Sequence, residues 1–229
     1  MSRKIVRKLS KEQKSILIAL LIGDGTISSN YVFKLSHSTH QRAFLEWKIN
    51  LLNTLGIKNN GIKEYVSKTG YNEGKQVLYS QMSINPTIKA LRRTIYTPKK
   101  TLSRKLLNWL TPLGLAIWYM DDGHINVNTS SQRSSIQHTI KIATCVDEST
   151  ANMILQYFKE VWDITFRLFK EGKGTFSVAS SSEADCENFI KLVKPYIIPS
   201  LLYKIRKDFT KEEFIQMQLD GLEVRDIIF

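Results

Sequence analysis

The chain runs through one pattern of helices and hairpins twice. Each pass starts with an apolar helix, continues through a hairpin, a second helix and a second hairpin, and ends with a third helix. The opening helices span residues 10–24 and 111–122. Their terminal aspartates, Asp24 and Asp122, are 98 residues apart. This repetition limits the fold more than any other feature of the sequence, because both halves must form the same supersecondary unit.

Capping and turn residues define where these elements begin and end. Ser10 and Gln13 form a capping box before the apolar run Ile16–Ile22, which predicts a buried helix. Thr111-Pro112 places an N-cap before proline at the first position of the second opening helix. Glu171-Gly172-Lys173-Gly174 predicts a hairpin turn in the second half.

We therefore predict an α+β fold of two pseudo-symmetric halves, each with the order αββαββα and its own antiparallel sheet. The predicted boundaries are residues 1–110 for the first half, 111–207 for the second, and 208–229 for a helical extension. A capping box at Thr210 opens that extension. The two opening helices are expected to pack together, with the small residues Ala19 and Gly23 allowing a close approach.

The positive charge is concentrated in the first half. The chain has 33 Lys+Arg against 21 Asp+Glu, a net charge of +12. Residues 1–110 hold 20 basic and 5 acidic residues, a net of +15, while residues 111–229 hold 13 and 16, a net of −3. Such an excess favours a polyanionic partner, although a basic surface without a partner gives the same totals. If the partner is DNA, the first half should bind with the steeper salt dependence.

A carboxylate at the end of a helix is electrostatically unfavourable, because the C-terminus carries partial negative charge. One interpretation is that glycine supplies a left-handed C-cap and the aspartate only starts a turn. Two copies at equivalent places favour a site for a hard divalent cation such as Mg²⁺ instead. The predicted ligands are Asp24 and Asp122, with Gly23 and Asp121 beside them at the same helix ends.

The opening helices resemble the signature helices of the LAGLIDADG homing endonucleases, in the single-chain, intron-encoded branch. The second copy carries most of the likeness, in Leu110-Thr111-Pro112-Leu113-Gly114-Leu115-Ala116-Ile117-Trp118-Tyr119-Met120-Asp121-Asp122-Gly123. The first copy, residues 17–25, keeps the register with few identities, and Ile22 and Met120 replace the earlier acidic residue of the family. The likeness continues through Pro98-Lys99-Lys100 and through residues 194–204, which end in Tyr203-Lys204.

This resemblance implies a monomeric, site-specific endonuclease that cuts both strands of a long, asymmetric DNA target. Mg²⁺ is the implied cofactor, with Mn²⁺ able to replace it, and Asp24 and Asp122 are the implied catalytic metal ligands. Lys100 and Lys204 match the pocket lysines of the family, which would stabilise transition-state charge or position the attacking water. A phosphate clamp or an ordinary surface lysine remains the alternative for both. A further polar pocket residue stays open between Ser36 and His37 in the first half and between Ala143 and Thr144 in the second.

The resemblance also implies that each sheet forms a saddle along the major groove of the DNA. Long polar and cationic side chains read base edges there, and alternate residues of a strand point to the same face. The candidate DNA-binding residues of the first half are Ser28, Asn30, Lys34, Lys63, Lys68, Gln76 and Gln81. Those of the second half are Asn126, Asn128, Arg133, Gln137, Lys141, Arg167, Lys170 and Lys173. The basic start of the chain, Arg3, Lys4, Arg7 and Lys8, is expected to contact phosphates.

Two other functions use the same scaffold. One is an RNA maturase that assists splicing of its intron, with intron RNA as partner, and the other is a non-catalytic DNA-binding protein. Motifs typical of the flanks of a protein-splicing domain are not recognised, so we do not expect a complete intein. The two cysteines exclude a disulfide scaffold. We expect an intracellular protein without a membrane partner, in a bacterial or phage-infected cytoplasm or in a mitochondrion or chloroplast.

Overall fold

A computed structural model describes residues 9–68, 73–96, 99–128 and 137–207 of the chain. The predictions for the basic start, for Arg133 and for the helix opening at Thr210 fall outside these residues. The chain divides into two compact units. The first unit comprises Met1–Leu102 and Trp109–Gly114, and the second comprises Ser103–Asn108 and Leu115–Phe229.

The first unit contains a four-stranded antiparallel sheet with the strand order β1-β2-β4-β3. Its elements are α1 (Lys11–Ile22), β1 (Thr26–Ile27), β2 (Phe33–Ser38), α2 (Arg42–Thr54), β3 (Lys63–Val66), β4 (Gln76–Met82) and α3 (Pro86–Ile95). The predicted capping box of Ser10 and Gln13 is present. Asn85 caps α3 by accepting from the backbone N–H of Ile88 at 3.0 Å.

The second unit repeats this order, with an antiparallel sheet in which the strands follow β5-β6-β8-β7. Its elements are α4 (Arg104–Leu107), α5 (Pro112–Asp122), β5 (Gly123–Asn128), β6 (Gln137–Val146), α6 (Glu148–Trp162), β7 (Phe166–Lys170), β8 (Phe176–Ser180) and α7 (Glu183–Val193). The first three residues of α5 belong to the first unit. The predicted α+β fold with two αββαββα halves is therefore confirmed, with the short α4 and several 3-10 helices, such as Pro199–Ile205, as additions.

Each sheet packs one of its faces against helices of its own unit. We call this the helix face and the opposite one the open face. Phe33 and Leu35 of β2 and Leu78 of β4 are fully buried on the helix face of the first sheet, under α2. In the second sheet, the ring of Phe166 lies 4.4 Å from that of Phe158 on α6. Burying one such side chain contributes about 1.5–3 kcal/mol.

The opening helices do not end in the left-handed glycine cap considered above. Gly23 has φ −77°, and neither Gly25 nor Gly123 has a positive φ. Both need the small side chain for a different reason. A Cβ on Gly25 would lie 2.2 Å from the carbonyl oxygen of Leu20, and one on Gly123 would lie 1.9 Å from the ring of Tyr119. Each glycine allows the chain to leave its helix directly into the first strand of the sheet.

The opening helices approach each other closely at their start, inside the first unit, at Ser15 and Gly114, which are not the residues named in the prediction. A Cβ on Gly114 of α5 would lie 2.1 Å from the hydroxyl oxygen of Ser15 on α1. The same oxygen accepts hydrogen bonds from the backbone N–H of Thr111 at 2.8 Å and from its hydroxyl at 3.1 Å. Across the described residues, no helix is both long enough and apolar enough to span a membrane.

Candidate active site and nucleic-acid interface

In the first unit, Lys100 reaches the end of α1. Its Nζ donates to the carbonyl oxygen of Gly23 at 2.7 Å and approaches that of Gly25 at 3.4 Å. The side chain of Asp24, between these two glycines, is 43% exposed. The carbonyl of Gly23, which we expected to be free for a metal, thus accepts from Lys100. The ammonium offsets the partial negative charge of the helix end and of the neighbouring carboxylate.

In the second unit, Lys204 reaches the end of α5 in the same way. Its Nζ donates to the carbonyl oxygen of Met120 at 2.6 Å and approaches that of Asp121 at 3.3 Å. Lys204 is 8% exposed, and its own carbonyl oxygen accepts from the Tyr119 hydroxyl at 2.5 Å. Burial raises the pKa of Tyr119, so its hydroxyl keeps the proton that it donates.

Both units therefore combine the same three groups: an aspartate at a helix end, the last carbonyls of that helix, and a lysine from beyond the final helix of the repeat. The aspartates differ in how they are held. The indole Nε1 of Trp118 donates to Oδ2 of Asp122 at 3.1 Å. Trp118 is thus both a buried residue and one that orients the candidate ligand.

The structure distinguishes the two pocket candidates of the first unit. Ser36 pairs with Tyr79 on the open face, whereas His37 lies on the helix face with its side chain 1% exposed. The Nδ1 atom of His37 is 3.6 Å from Oδ2 of Asp24. The sequence contains a pattern that predicts this placement, because residues two apart point to one face of a strand. His37 follows the apolar residues Phe33 and Leu35 at that spacing. In the second unit, the hydroxyl of Thr144 donates to the carbonyl of Phe176 at 2.9 Å.

The donors present at these helix ends fit a hard divalent cation. Asp24 and Asp122 supply carboxylate oxygens, which Mg²⁺ prefers, and the exposure of Asp24 leaves room for retained waters and a substrate phosphate. Gly23 and Asp121 add backbone carbonyl oxygens that are already engaged by lysine. The carboxylates are accordingly the stronger candidate ligands.

Most candidate DNA-binding residues of the first unit lie on the open face of its sheet or in its loops. Lys34 pairs with Gln81 and Lys63 with Tyr79, which places all four side chains on the open face. The Nζ of Lys34 lies 4.5 Å from the ring centre of Tyr65 and 4.8 Å from that of Tyr79. Three further candidates lie in loops: Ser28, Asn30 and Lys68.

Gln76 is the exception in the first unit. It pairs with Val66 and alternates with Leu78, which places it in the register of the helix face at the exposed start of β4. Base reading by Gln76 is therefore less favoured than by Gln81.

In the second unit, one rung of the sheet crosses the open face. His124, Lys141, Ala179 and Arg167 are successive cross-strand partners. Asn126 and Asn128 follow at alternate positions of β5, and Gln137 pairs with Asn128. Lys170 has the opposite parity and belongs to the helix face, while Lys173 lies in the turn Gly172–Gly174.

Glu171 is a functional candidate that the sequence did not reveal. Its Oε1 lies 2.7 Å from Nζ of Lys141 and accepts from the Ser177 hydroxyl at 2.7 Å. Hydrogen bonds from Lys141 and Ser177 lower the pKa of Glu171. The Nζ of Lys141 also lies 3.7 Å from the ring centre of Phe169. The open face of the second sheet thus holds a lysine that is partly neutralised, unlike Lys34 between its two tyrosines.

Residues 14–186 match a family model described as the LAGLIDADG DNA endonuclease family. The chain belongs to this family. The match covers more than half of the sequence and confirms the resemblance drawn from the motifs. The description of the family agrees with the predicted class, a DNA endonuclease.

Similar proteins agree with this assignment. The DNA endonuclease I-ChuI of Chlamydomonas applanata is 22% identical over 219 residues, covering 86% of this chain and 95% of its own. A protein named RecA from Mycolicibacterium flavescens is 31% identical over 223 residues, 92% of this chain. The chain spans about half the length of such RecA relatives, 50% in this case.

Solved structures show the same fold. The homing endonuclease I-WcaI, bound to its DNA recognition sequence, matches with a TM-score of 0.73 at 20% identity and covers 88% of this chain and 89% of its own. The LAGLIDADG meganuclease I-AabMI, bound to uncleaved DNA, matches with a TM-score of 0.54 at 14% identity, covering 92% and 99%.

Proposed function

We propose that this LAGLIDADG protein is a metal-dependent homing endonuclease that hydrolyses one phosphodiester in each strand of a long, asymmetric DNA site. Double-stranded DNA is the proposed partner, Mg²⁺ the proposed cofactor, and a single chain the active species. Two unlike units in one chain require no two-fold symmetry of the target.

The recurrence of one arrangement in both units carries this proposal. Lys100 donates to the end of α1 beside Asp24, and Lys204 donates to the end of α5 beside Asp122. An ordinary surface lysine is a poor account of either, because each reaches a helix terminus from about 80 residues away in sequence. The repeated geometry supports a pocket role for both lysines.

The chemistry follows from these groups. A divalent cation held by the carboxylate of each unit, Asp24 in the first and Asp122 in the second, would supply Lewis-acid stabilisation of the charge that develops on a scissile phosphate. Each lysine places a positive charge at a helix end that would otherwise repel an approaching phosphate. Trp118 restricts the rotation of Asp122, so that this carboxylate is already oriented before DNA binds.

The open faces of the two sheets supply the proposed DNA-reading surface. Lys34, Lys63 and Arg167 provide cations for phosphates or guanine, while Gln81 and Asn126 have the amides that pair with adenine. Each of these residues lies on a different strand, at a position whose parity belongs to the open face of its sheet.

The test has two stages. Cleavage selection from a randomised DNA library with Mg²⁺ first defines the target. Asp24→Asn and Asp122→Asn are then compared with the wild type on that target, in cleavage with Mg²⁺ and in binding with Ca²⁺. Both variants should lose cleavage and retain binding, since an amide keeps the size of the side chain and removes its charge. Glu46→Gln, an exposed change on α2, is the matched control and should cut normally.

Either aspartate variant cutting at the wild-type rate would refute the assignment of that residue. A wild-type protein that binds its selected DNA without cutting it, in Mg²⁺ and in Mn²⁺, would identify a non-catalytic DNA-binding protein instead.

A further inference from the structure

A lysine is completely buried in the first unit, beside the candidate metal ligand. Lys48 of α2 has no exposed surface, and its Nζ lies 2.9 Å from Nε2 of His37. The same Nζ lies 4.2 Å from the ring centre of Phe44. Burying an ammonium group costs several kcal/mol unless polar partners and aromatic rings offset it. A buried ammonium group at the position of Lys48 would therefore imply a role other than packing.

The contact with Lys48 determines which nitrogen of His37 carries the proton. If Lys48 carries its proton, its ammonium group is only a donor, and Nε2 of the imidazole must accept. The proton of the neutral ring therefore resides on Nδ1, and Nδ1 faces the carboxylate of Asp24 at 3.6 Å and Oε1 of Gln41 at 3.2 Å. The result is a buried N–H group that donates to Gln41 and has the carboxylate of Asp24 as its next neighbour, 3.6 Å away.

The second unit has no equivalent arrangement among its described residues. Lys34 and Lys141 occupy matching positions, each paired with the second residue after the motif aspartate. Three residues further along each strand stand His37 and Thr144, and the Thr144 hydroxyl is directed to the backbone of Phe176. The buried residues of α6 are Ala151, Ile154, Tyr157 and Phe158, with no lysine.

We propose that His37, held in one tautomer by Lys48, is a positioning residue that orients the carboxylate of Asp24, and that only the first unit has this device. The inference rests on the proposed role of Asp24. Partners that orient a ligand typically change metal affinity or activity about 10–100-fold when removed. Loss of His37 should therefore impair the strand that depends on Asp24 and spare the other.

The first measurement uses the metal-free, full-length protein. The imidazole ¹⁵N shifts of His37 should show a protonated Nδ1 and an accepting Nε2. Lys48→Met, which replaces the ammonium by an apolar chain of similar length, should shift the ring toward a mixture of tautomers. A wild-type ring protonated on Nε2 would overturn the proposal without any reference to cleavage.

The second measurement follows each strand of an end-labelled target separately. His37→Ala should slow cleavage of one strand by about 10–100-fold, and this should be the same strand that Asp24→Asn impairs. The variant should also need a higher Mg²⁺ concentration for half-maximal rate. Because the other strand is still cut, nicked DNA should accumulate. His37→Asn, whose amide N–H can replace Nδ1–H, should recover most of the rate. Glu46→Gln, two residues before Lys48, should change neither strand.

Equal slowing of both strands by His37→Ala, or no recovery with asparagine, would show a general structural role and reject the inference. If His37→Ala fails to fold, Lys48→Met carries the same strand test, with a smaller loss expected in the same strand. The proposed function fails separately, through normal cleavage by Asp24→Asn.

Discussion

The Nζ atom of Lys100 donates to the carbonyl oxygen of Gly23 at 2.7 Å, and Lys204 donates to that of Met120, one position earlier in the repeat, at 2.6 Å. The two lysines differ in burial, since Lys204 is enclosed and Lys100 lies in an exposed segment. Because of this difference in burial, we expect the two lysines to contribute unequally to the stability of the protein, although both contribute to its activity.

Replacing Lys204 by Met should lower the free energy of unfolding by about 1–3 kcal/mol, because a buried carbonyl loses its donor. Lys100→Met should cost less, because Lys100 is exposed and its hydrogen bond to Gly23 is only partly buried. Both variants should lose cleavage by about 10²–10³-fold, as expected when a charge-stabilising donor is removed. Chemical denaturation and single-turnover cleavage measure the two effects, with Lys99→Met as the neighbouring exposed control. Equal stability losses for the two variants would contradict the burial argument.

Gly114→Ala should destabilise the protein, although alanine normally stabilises a helix by about 0.5–1 kcal/mol relative to glycine. The new Cβ would lie 2.1 Å from the hydroxyl oxygen of Ser15, so the expected cost is about 1–3 kcal/mol. Ser15→Ala removes that oxygen, and the double variant should lose less than the two single losses added together. Gly172→Ala, with nothing within 4 Å of its Cβ, is the control in thermal and chemical denaturation. Strict additivity would exclude the contact as the cause.

The ion pair of Glu171 with Lys141 should make stability depend on pH below about 4.5, the ordinary pKa of glutamate. Because the folded-state pKa is lowered, the stabilisation is present above that value and is lost as the pH falls through the lower pKa. Glu171→Gln should therefore flatten the dependence of the unfolding free energy on pH between 5 and 3. Denaturation of both proteins across that range tests this, and parallel curves would show that the pair contributes nothing.

The two faces of β7 provide a matched pair for the DNA-binding surface. Arg167 lies on the open face and Lys170 on the helix face, and both are exposed cations of one strand. Arg167→Ala should weaken binding and reduce the slope of log affinity against log salt by about 0.9 if it contacts one phosphate. Lys170→Ala should leave both unchanged. Binding titrations at four salt concentrations with the selected target make the comparison, and equal effects would reject the assignment of faces.

Local signals predicted the elements well because they depend on neighbours in sequence. The capping box at Ser10 forms as predicted, and Asn85 and Asp147 cap their helices through equally local hydrogen bonds. The glycines after the two aspartates were harder to interpret from the sequence, because a left-handed helix cap and a close backbone approach both favour glycine. Only the positions of Leu20 and Tyr119 decide between them.

Strand parity divides the candidates at the interface. Gln76 and Lys170 are polar and exposed, yet their cross-strand pairing places them in the register of the helix face. The sequence does not indicate a role for Glu171, because this residue lies in a turn and its contact with Lys141 forms only in the folded sheet.

By itself, the sequence determined the repeat, the two acidic helix ends and the lysines that follow each repeat, because these are patterns of spacing and residue type. The tertiary structure decided that Lys100 and Lys204 cap those helix ends and that His37 turns toward Asp24 above a buried Lys48. Those contacts join residues from 11 to 84 positions apart, so they exist only once the sheets and helices of each unit have packed.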